Sequence, residues 1–459
     1  MQNLRVNKGL NMAFLKDKYD VLIVGAGVAG LNCALNLPRD KSVLVICKRN
    51  PRQSDSYLAQ GGICRLRDEG DFQSYFEDTM RAGHYENDPA AVECMIRGSQ
   101  EIISDLVDMG VRFKRDSDGS FAYTREGGHS VPRICYFEDS TGNEITTHLF
   151  KQAKKRGNIQ IVPYVTMLDI IECGGECIGI VAYDNKKKAV KYVYADSTVL
   201  ATGGIGGAFA DTTNFRILTG DALAICLNHG VAVDNINYIQ THPTTLYSKK
   251  RGRRFLITES IRGEGAHLLD SKFNRFTDEL QPRDVVKSAV LEQMKKDGTP
   301  FVWLDMRPIP KEEISSHFPS IVKRCAEEGY DVFTQCIPVV PAIHYFMGGV
   351  RSDLYGRTTM PRLYAVGETC CNGVHGKNRL ASNSLLESLL FAKRAAQDIS
   401  RSSAHITGAM IENAAKSIDE SKYSNPTKLL KKYIKTVNEA VQLANAGVDV
   451  NDKFKENGK

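Results

Sequence analysis

The chain has 459 residues, room for roughly two to four domains, and is 42% hydrophobic and 25% charged. Those values exclude a small disulfide-stapled scaffold and a largely disordered chain. Sixty Lys and Arg against 54 Asp and Glu give a net charge of +6, which suits an anionic small substrate or a phosphate-bearing cofactor but lacks the basic stripe of a nucleic-acid binder.

Residues 1–19 are polar, carry Arg5, Lys8, Lys16 and Lys18, and hold no apolar stretch of signal length. No run of 18 apolar residues occurs, so no membrane span is expected. The twelve scattered cysteines are then expected to be reduced thiols in a cytoplasmic protein.

A buried strand is predicted over residues 20–24, followed by Gly25-Ala26-Gly27-Val28-Ala29-Gly30 and a helical pattern through Leu31, Ala34, Leu35 and Leu37. A second strand is predicted over residues 42–46. In this setting the first Gly permits a tight turn. The second admits a pyrophosphate against the backbone, and the third lets helix and strand pack closely. The acidic ribose ligand expected after the second strand is missing. Cys47-Lys48 stand there, which disfavours NAD in its usual pose.

Residues 160–200 alternate apolar and polar side chains around Gly-rich turns, which predicts antiparallel hairpins. Cys173 and Cys177 flank one hairpin tip, and Lys186-Lys187-Lys188 mark another. Two cysteines alone do not make a zinc site. A strand over residues 197–201 runs into Thr202-Gly203-Gly204. Residues 235–343 change character, with more charge and Pro282, Pro300, Pro308 and Pro310. The basic run Lys249 to Arg254 reads as a solvated loop, with anion steering or a partner contact as the other use.

A strand over residues 363–366 precedes Gly367-Glu368, and packing is the reading for Cys370-Cys371. Ala381-Ser382-Asn383-Ser384-Leu385 opens a long helix with small polar cap residues. Residues 405–459 read as one or two amphipathic helices and a polar tail. A nucleotide-binding sheet is thus left for about a hundred residues and regained, and a ligand cleft is expected between parent and insertion. Far-apart Gly-rich strand ends suit the long groove that FAD needs, with Glu368 facing its ribityl hydroxyls.

The segments GAGVAG (25–30), LAQGGI (58–63), ATGG (201–204), TTN (212–214), TGD (219–221), QTHPTT (240–245), TESIRGEG (258–265), PRDVV (282–286), HYFMGGV (344–350) and VGETCCNGVHGKNRLASNSLLES (366–388) carry a resemblance. Up to about residue 400 the chain resembles the flavoprotein family of fumarate reductase, succinate dehydrogenase and L-aspartate oxidase. The resemblance implies an α/β fold: a Rossmann-like FAD-binding domain (1–234 and 344–404), an inserted α+β capping domain (235–343) and a short C-terminal helical segment (405–459). Respiratory members carry a His, covalently attached to FAD, just before the AQGG-type segment. Ser54-Asp55-Ser56-Tyr57 stand here, so FAD is expected to be bound non-covalently. Thr124-Arg125-Glu126-Gly127-Gly128-His129-Ser130 resembles the aspartate-oxidising members, where a carboxylate at Glu126 could hold the substrate ammonium.

The cofactor residues implied are Gly25, Ala26, Gly27, Val28, Ala29 and Gly30, then Lys48, then Asp55, Ser56, Tyr57, Leu58, Ala59, Gln60, Gly61 and Gly62. Ala201, Thr202, Gly203, Asp221, Glu368, Ser384 and Leu385 follow. For a dicarboxylate, the resemblance implies Arg379 as clamp and His242 and His344 as donors, with Gln240, Thr258 and Glu259 shaping the pocket. Glu126 and Arg283 are the implied catalytic residues. Arg283 either transfers a proton or acts as an electrostatic clamp, since guanidinium is normally locked in its cationic form. No metal ligand set is expected.

The implied reaction is oxidation of L-aspartate to iminoaspartate, with oxygen or fumarate as acceptor. Its product is passed to quinolinate synthase in NAD biosynthesis. Two alternatives remain: a fumarate reductase or succinate dehydrogenase type of flavoprotein, and a non-catalytic FAD-binding protein. Aspartate-oxidising members commonly carry a longer C-terminal helical domain than the one here.

Overall fold

The computed structural model describes residues 18–250 and 252–457. Most of the polar stretch 1–19, and Arg251 of the basic run, lie outside the described residues. Five strands run parallel in the main sheet: Ile159–Pro163, Val43–Cys47, Lys18–Val24, Ala189–Leu200 and Leu363–Ala365. Val165–Cys173 and Glu176–Asp184 extend it as an antiparallel hairpin on Ala189–Leu200. The hairpins predicted over residues 160–200 therefore begin only at Val165. Ile159–Pro163 joins the parallel edge instead, in register with Val43–Cys47. The two predicted tips fall at Gly174-Gly175 and at residues 185–188.

Alternation along the strands divides the core in two. Val21, Ile23, Val43 and Val45 face one cluster, shared with the helices Val28–Asn36 and Asn383–Arg401. Leu22, Val24, Leu44 and Ile46 face the other, shared with Asp221–Asn228 and Pro426–Asn445. A sheet with helices on both faces explains why its strands read as continuous β-branched runs.

A five-stranded antiparallel sheet lies within residues 239–346, ordered Phe255–Leu256, Ile239–Leu246, Ile337–Phe346, Val302–Asp305, His267–Leu269. Its own core gathers Ile257, Val286, Leu304, Phe318 and Val339.

Among the described residues the C-terminal segment holds three α-helices, Gly408–Ser417, Pro426–Asn445 and Val450–Asn457, where one or two helices were expected. Asn425 starts the second by accepting from Lys428 N–H, with Pro426 at the first position, and Gly447 (φ +76°) lies beyond its end. Tyr433 anchors this helix by donating to Leu168 O at 2.7 Å. None of the twelve cysteines is disulfide-bonded. Among the described residues no helix is long and apolar enough to cross a membrane.

Candidate active site

One long cleft runs from the ends of the parallel strands to the inserted sheet. At one end the turn after Lys18–Val24 lines it through Gly25, Ala26, Gly27 and Ala29. Gly25 has φ +124°, and a Cβ there would sit 1.9 Å from Ala201 O. Val28 and Gly30 do not line the cleft. A Cβ on Gly30 would lie 2.0 Å from Gly25 O, so this residue serves the helix–strand packing. The helix Val28–Asn36 begins at Gly27 without a side-chain cap, which leaves its positive end open to a phosphate.

Lys48 lines the same end, where its Nζ donates to Ile217 O at 2.9 Å and pairs with Asp221. From Asp55 to Gly62 every residue but Tyr57 lines the cleft. Asp55 accepts from Phe215 N at 3.0 Å, and burial pushes its carboxyl up to about 6. Ala201, Thr202, Gly203, Glu368, Ser384 and Leu385 complete this part. Glu368 accepts from Phe346 N at 3.0 Å. Burial and then the nearby Asp55 push it up to about 8, so near neutral pH it carries a proton and can donate as well as accept. The open glycine turn and these donors along one groove fit a dinucleotide cofactor.

Two expectations are corrected. The basic run is not wholly solvated, because Arg253 is half-buried, lines the cleft and donates to Thr213 O at 3.1 Å. Ser382 stands at the N-terminus of Asn383–Arg401 but does not cap it. Its backbone is left-handed (φ +60°), and its hydroxyl points instead to Glu126.

At the other end the charges gather. Arg283 donates from Nε to Glu259 Oε2 at 2.5 Å and from Nη1 to Gln240 Oε1 at 2.8 Å. Arg262 reaches Glu259 Oε1 at 3.2 Å from the opposite side. Arg379 donates to the same Gln240 Oε1 at 3.3 Å and to Ser384 Oγ at 2.8 Å, and lies 4.2 Å over the Tyr345 ring. Gln240 is buried and does not line the cleft. It ties the two guanidiniums together, and its Nε2 donates to Arg379 O at 2.8 Å. Glu259 is drawn below the usual carboxylate range, because Arg283 and Arg262 outweigh the effect of burial. Three buried guanidiniums thus face one firmly ionised carboxylate, a surplus of positive charge that an anionic ligand would balance.

Glu126 accepts from Ser260 Oγ at 2.8 Å and from Ser382 Oγ at 2.5 Å. Burial, then the neighbouring Glu259, raise its pKa. His242 and His344 pack edge to face with centroids 5.2 Å apart. Burial and Arg283 hold both well below the usual histidine range, so both are neutral near pH 7. His344 Nδ1 meets Thr213 Oγ1 at 2.8 Å, and His242 Nδ1 lies 3.0 Å from Thr244 O and 3.2 Å from Thr244 N. His242 Nε2 is a buried atom with no protein partner. Thr258 lines the cleft beside Glu259.

Glu126, His242, Thr258, Glu259, Arg283, His344 and Arg379 all line this end, with Gln240 behind them. Sequence reasoning missed Ser260, Arg262, Thr213, Tyr345 and Arg253. Arg262 had a readable signal, since it stands three residues after Glu259 and one helical turn brings the two together. The others depend on tertiary contacts.

The chain matches the family described as FAD binding domain over residues 20–385. It is 46% identical to the L-aspartate oxidase of Clostridium perfringens over 386 residues, 84% of this chain and 87% of that one. It is 44% identical to the L-aspartate oxidase of Nostoc, covering 83% of this chain and 67% of that one. Among solved structures, a mutant of E. coli quinol fumarate reductase superposes with a TM-score of 0.82 at 30% identity, over 89% of this chain and 75% of that one.

Proposed function

The chain belongs to the L-aspartate oxidase family of FAD-binding flavoproteins, and we infer that its cleft holds FAD and oxidises L-aspartate to iminoaspartate. The electrons go to oxygen, giving hydrogen peroxide, or to fumarate, giving succinate. The reaction is the first step of NAD biosynthesis through quinolinate. FAD, when bound, supplies the two-electron acceptor, and the protein supplies placement and charge.

The observation that carries this reading is the guanidinium surplus around Gln240, set beside a carboxylate with no cation of its own. A dicarboxylate balances the first and an ammonium the second. Arg379, His242 and His344 hold the substrate carboxylates, with Thr258 at the pocket wall, which supplies the orientation on which the rate depends. Glu126 Oε accepts the proton that the ammonium must lose. In the fumarate direction Arg283 gives a proton to carbon. Glu259 and Arg262 form the relay that restores it, because guanidinium alone does not release a proton near neutral pH.

We assign residues 1–234 and 344–404 to the FAD domain, 235–343 to the cap and 405–459 to a supporting helical segment. A cytoplasmic enzyme that hands an unstable imine to quinolinate synthase fits this chemistry. The deciding experiment is anaerobic titration of the yellow protein. Bleaching by L-aspartate is expected. Bleaching by succinate alone would replace this reading with that of a fumarate reductase type, and no response to either would remove the enzymatic reading.

A further inference from the structure

Ser260 follows Glu259 at the first position of the short helix Ser260–Gly263 and is 1% exposed. Its hydroxyl donates to Glu126 Oε1, while Ser382, from a distant element, donates to Oε2. Ser382 is itself fixed by Gly62 N–H, which donates to its Oγ at 3.2 Å. Gly61 closes the same side, since a Cβ there would sit 2.4 Å from Glu126 Oε1.

The two buried glutamates of the site are held differently. Glu259 is paired with Arg283 and Arg262. Among the described residues no cation is ion-paired with Glu126, and each of its oxygens takes one neutral hydroxyl. A guanidinium partner would cancel the charge that a substrate amine needs. A hydroxyl orients the carboxylate and favours its ionised form without cancelling it.

We propose that Ser260 is a positioning residue that fits this site to an amine-bearing dicarboxylate, by holding Glu126 in one orientation with its negative charge free. The inference rests on the reading of Glu126 as the group that meets the ammonium. The other charges facing Glu126 are Glu259, which opposes its ionisation, and Arg283 and Arg262, which favour it. Cys64, on the neighbouring strand Gly62–Cys64, stays a neutral thiol because burial raises its pKa. Loss of the Ser260 hydroxyl removes a donor to the charged form, so Glu126 should need a higher pH to ionise.

The test compares FAD-loaded wild-type enzyme with the variants Ser260→Ala, Ser260→Thr and Glu126→Gln. The readouts are pH profiles of kcat/KM for aspartate, fumarate reduction and flavin content. Ser260→Ala should move the acid limb for aspartate up by about one pH unit and lower kcat/KM near pH 7 about tenfold. Fumarate reduction should change less than about threefold, and Ser260→Thr should recover most of the loss. Ser260→Gly serves as a second hydroxyl-free variant if Ala impairs folding. An unmoved aspartate profile, or an equal fall in both reactions, would reduce Ser260 to packing. Glu126→Gln separates the two ideas: if it weakens both reactions alike, the reading of Glu126 fails whatever Ser260 does.

Discussion

Arg283 donates to Glu259 through Nε and to Gln240 through Nη1, so one guanidinium fork spans an ion pair and a neutral amide. Glu259 in turn meets Arg262, and Gln240 meets Arg379. On the function proposed, the fork joins the proton relay to the carboxylate clamp. A planar guanidinium does both from separate nitrogens held in a fixed geometry.

Arg283→Lys tests that statement. Lysine keeps the charge but gathers its three N–H donors on one nitrogen, so the two contacts made from Nε and Nη1 are not both kept in their geometry. Fumarate reduction should fall by about 10²–10⁴-fold, with flavin content unchanged. Near wild-type turnover would show that charge alone suffices and that the relay is not used.

Glu126→Gln should cost aspartate oxidation far more than fumarate reduction, by about 10²-fold or more. The sign of the pH effect follows from burial and Glu259, which raise the pKa of Glu126. The ionised form is the one needed, so wild-type kcat/KM for aspartate should drop as pH falls through a value above the ordinary carboxylate range. Fumarate reduction should lack that limb. Parallel profiles for the two reactions would show that Glu126 is not the group being read.

Most of the scaffold was legible because its signals are local. Residues 20–24 form a strand and Gly25-Ala26-Gly27 a turn by their own sterics, and Asn383–Arg401 is a continuous helical pattern. The charged residues were found by motif, and their wiring was not. Gln240 reads as one polar residue in a strand, and nothing in the sequence says that it bridges Arg283 and Arg379. Ser382 reads as a helix cap, yet the carboxylate 256 residues earlier in sequence takes its hydroxyl. Arg253 reads as solvated because it stands in a basic run, and only tertiary structure turns it into the cleft.

Gly25→Ala should abolish flavin retention. The added methyl meets backbone, Ala201 O, and the residue sits in a left-handed conformation. Backbone strain alone costs about 1–3 kcal/mol, and relief of the clash must separate the turn from the strand end that lines the same cleft. Purified variant with a normal flavin-to-protein absorbance ratio would contradict the contact.

Flavin should leave the wild-type protein on denaturation. The position where respiratory relatives of the family attach FAD through an imidazole holds Ser54, Asp55, Ser56 and Tyr57, none of which offers that nucleophile. Acid precipitation should put all the yellow colour in the supernatant. A coloured pellet would mean a covalent link elsewhere.

Asp169 holds the C-terminal segment and takes no part in the chemistry of the cleft. This buried carboxylate accepts from His229 Nε2 at 2.9 Å and from Tyr423 Oη at 2.8 Å, and it pairs with Lys422. It therefore ties residues 422–423 to the hairpin strand Val165–Cys173. Burial pushes its pKa up, but His229 and Lys422 bring it below the normal value. Burial pushes His229 down, but Asp169 and Glu172 bring it above. The carboxylate's contribution to stability is present above about pH 4 and lost as pH falls through its depressed value. The histidine's is present below about pH 6.5 and lost as pH rises through its elevated value. Asp169→Asn should destabilise the protein by about 1–3 kcal/mol, because it takes the charge from the buried acceptor of a part-buried imidazole, while Lys422 is exposed and keeps its hydration. The difference in melting temperature from wild type should be largest between about pH 4 and 6.5 and shrink on both sides. A pH-independent difference would mean that Asp169 acts through packing and neutral hydrogen bonds, and that its charge does not hold the C-terminal segment.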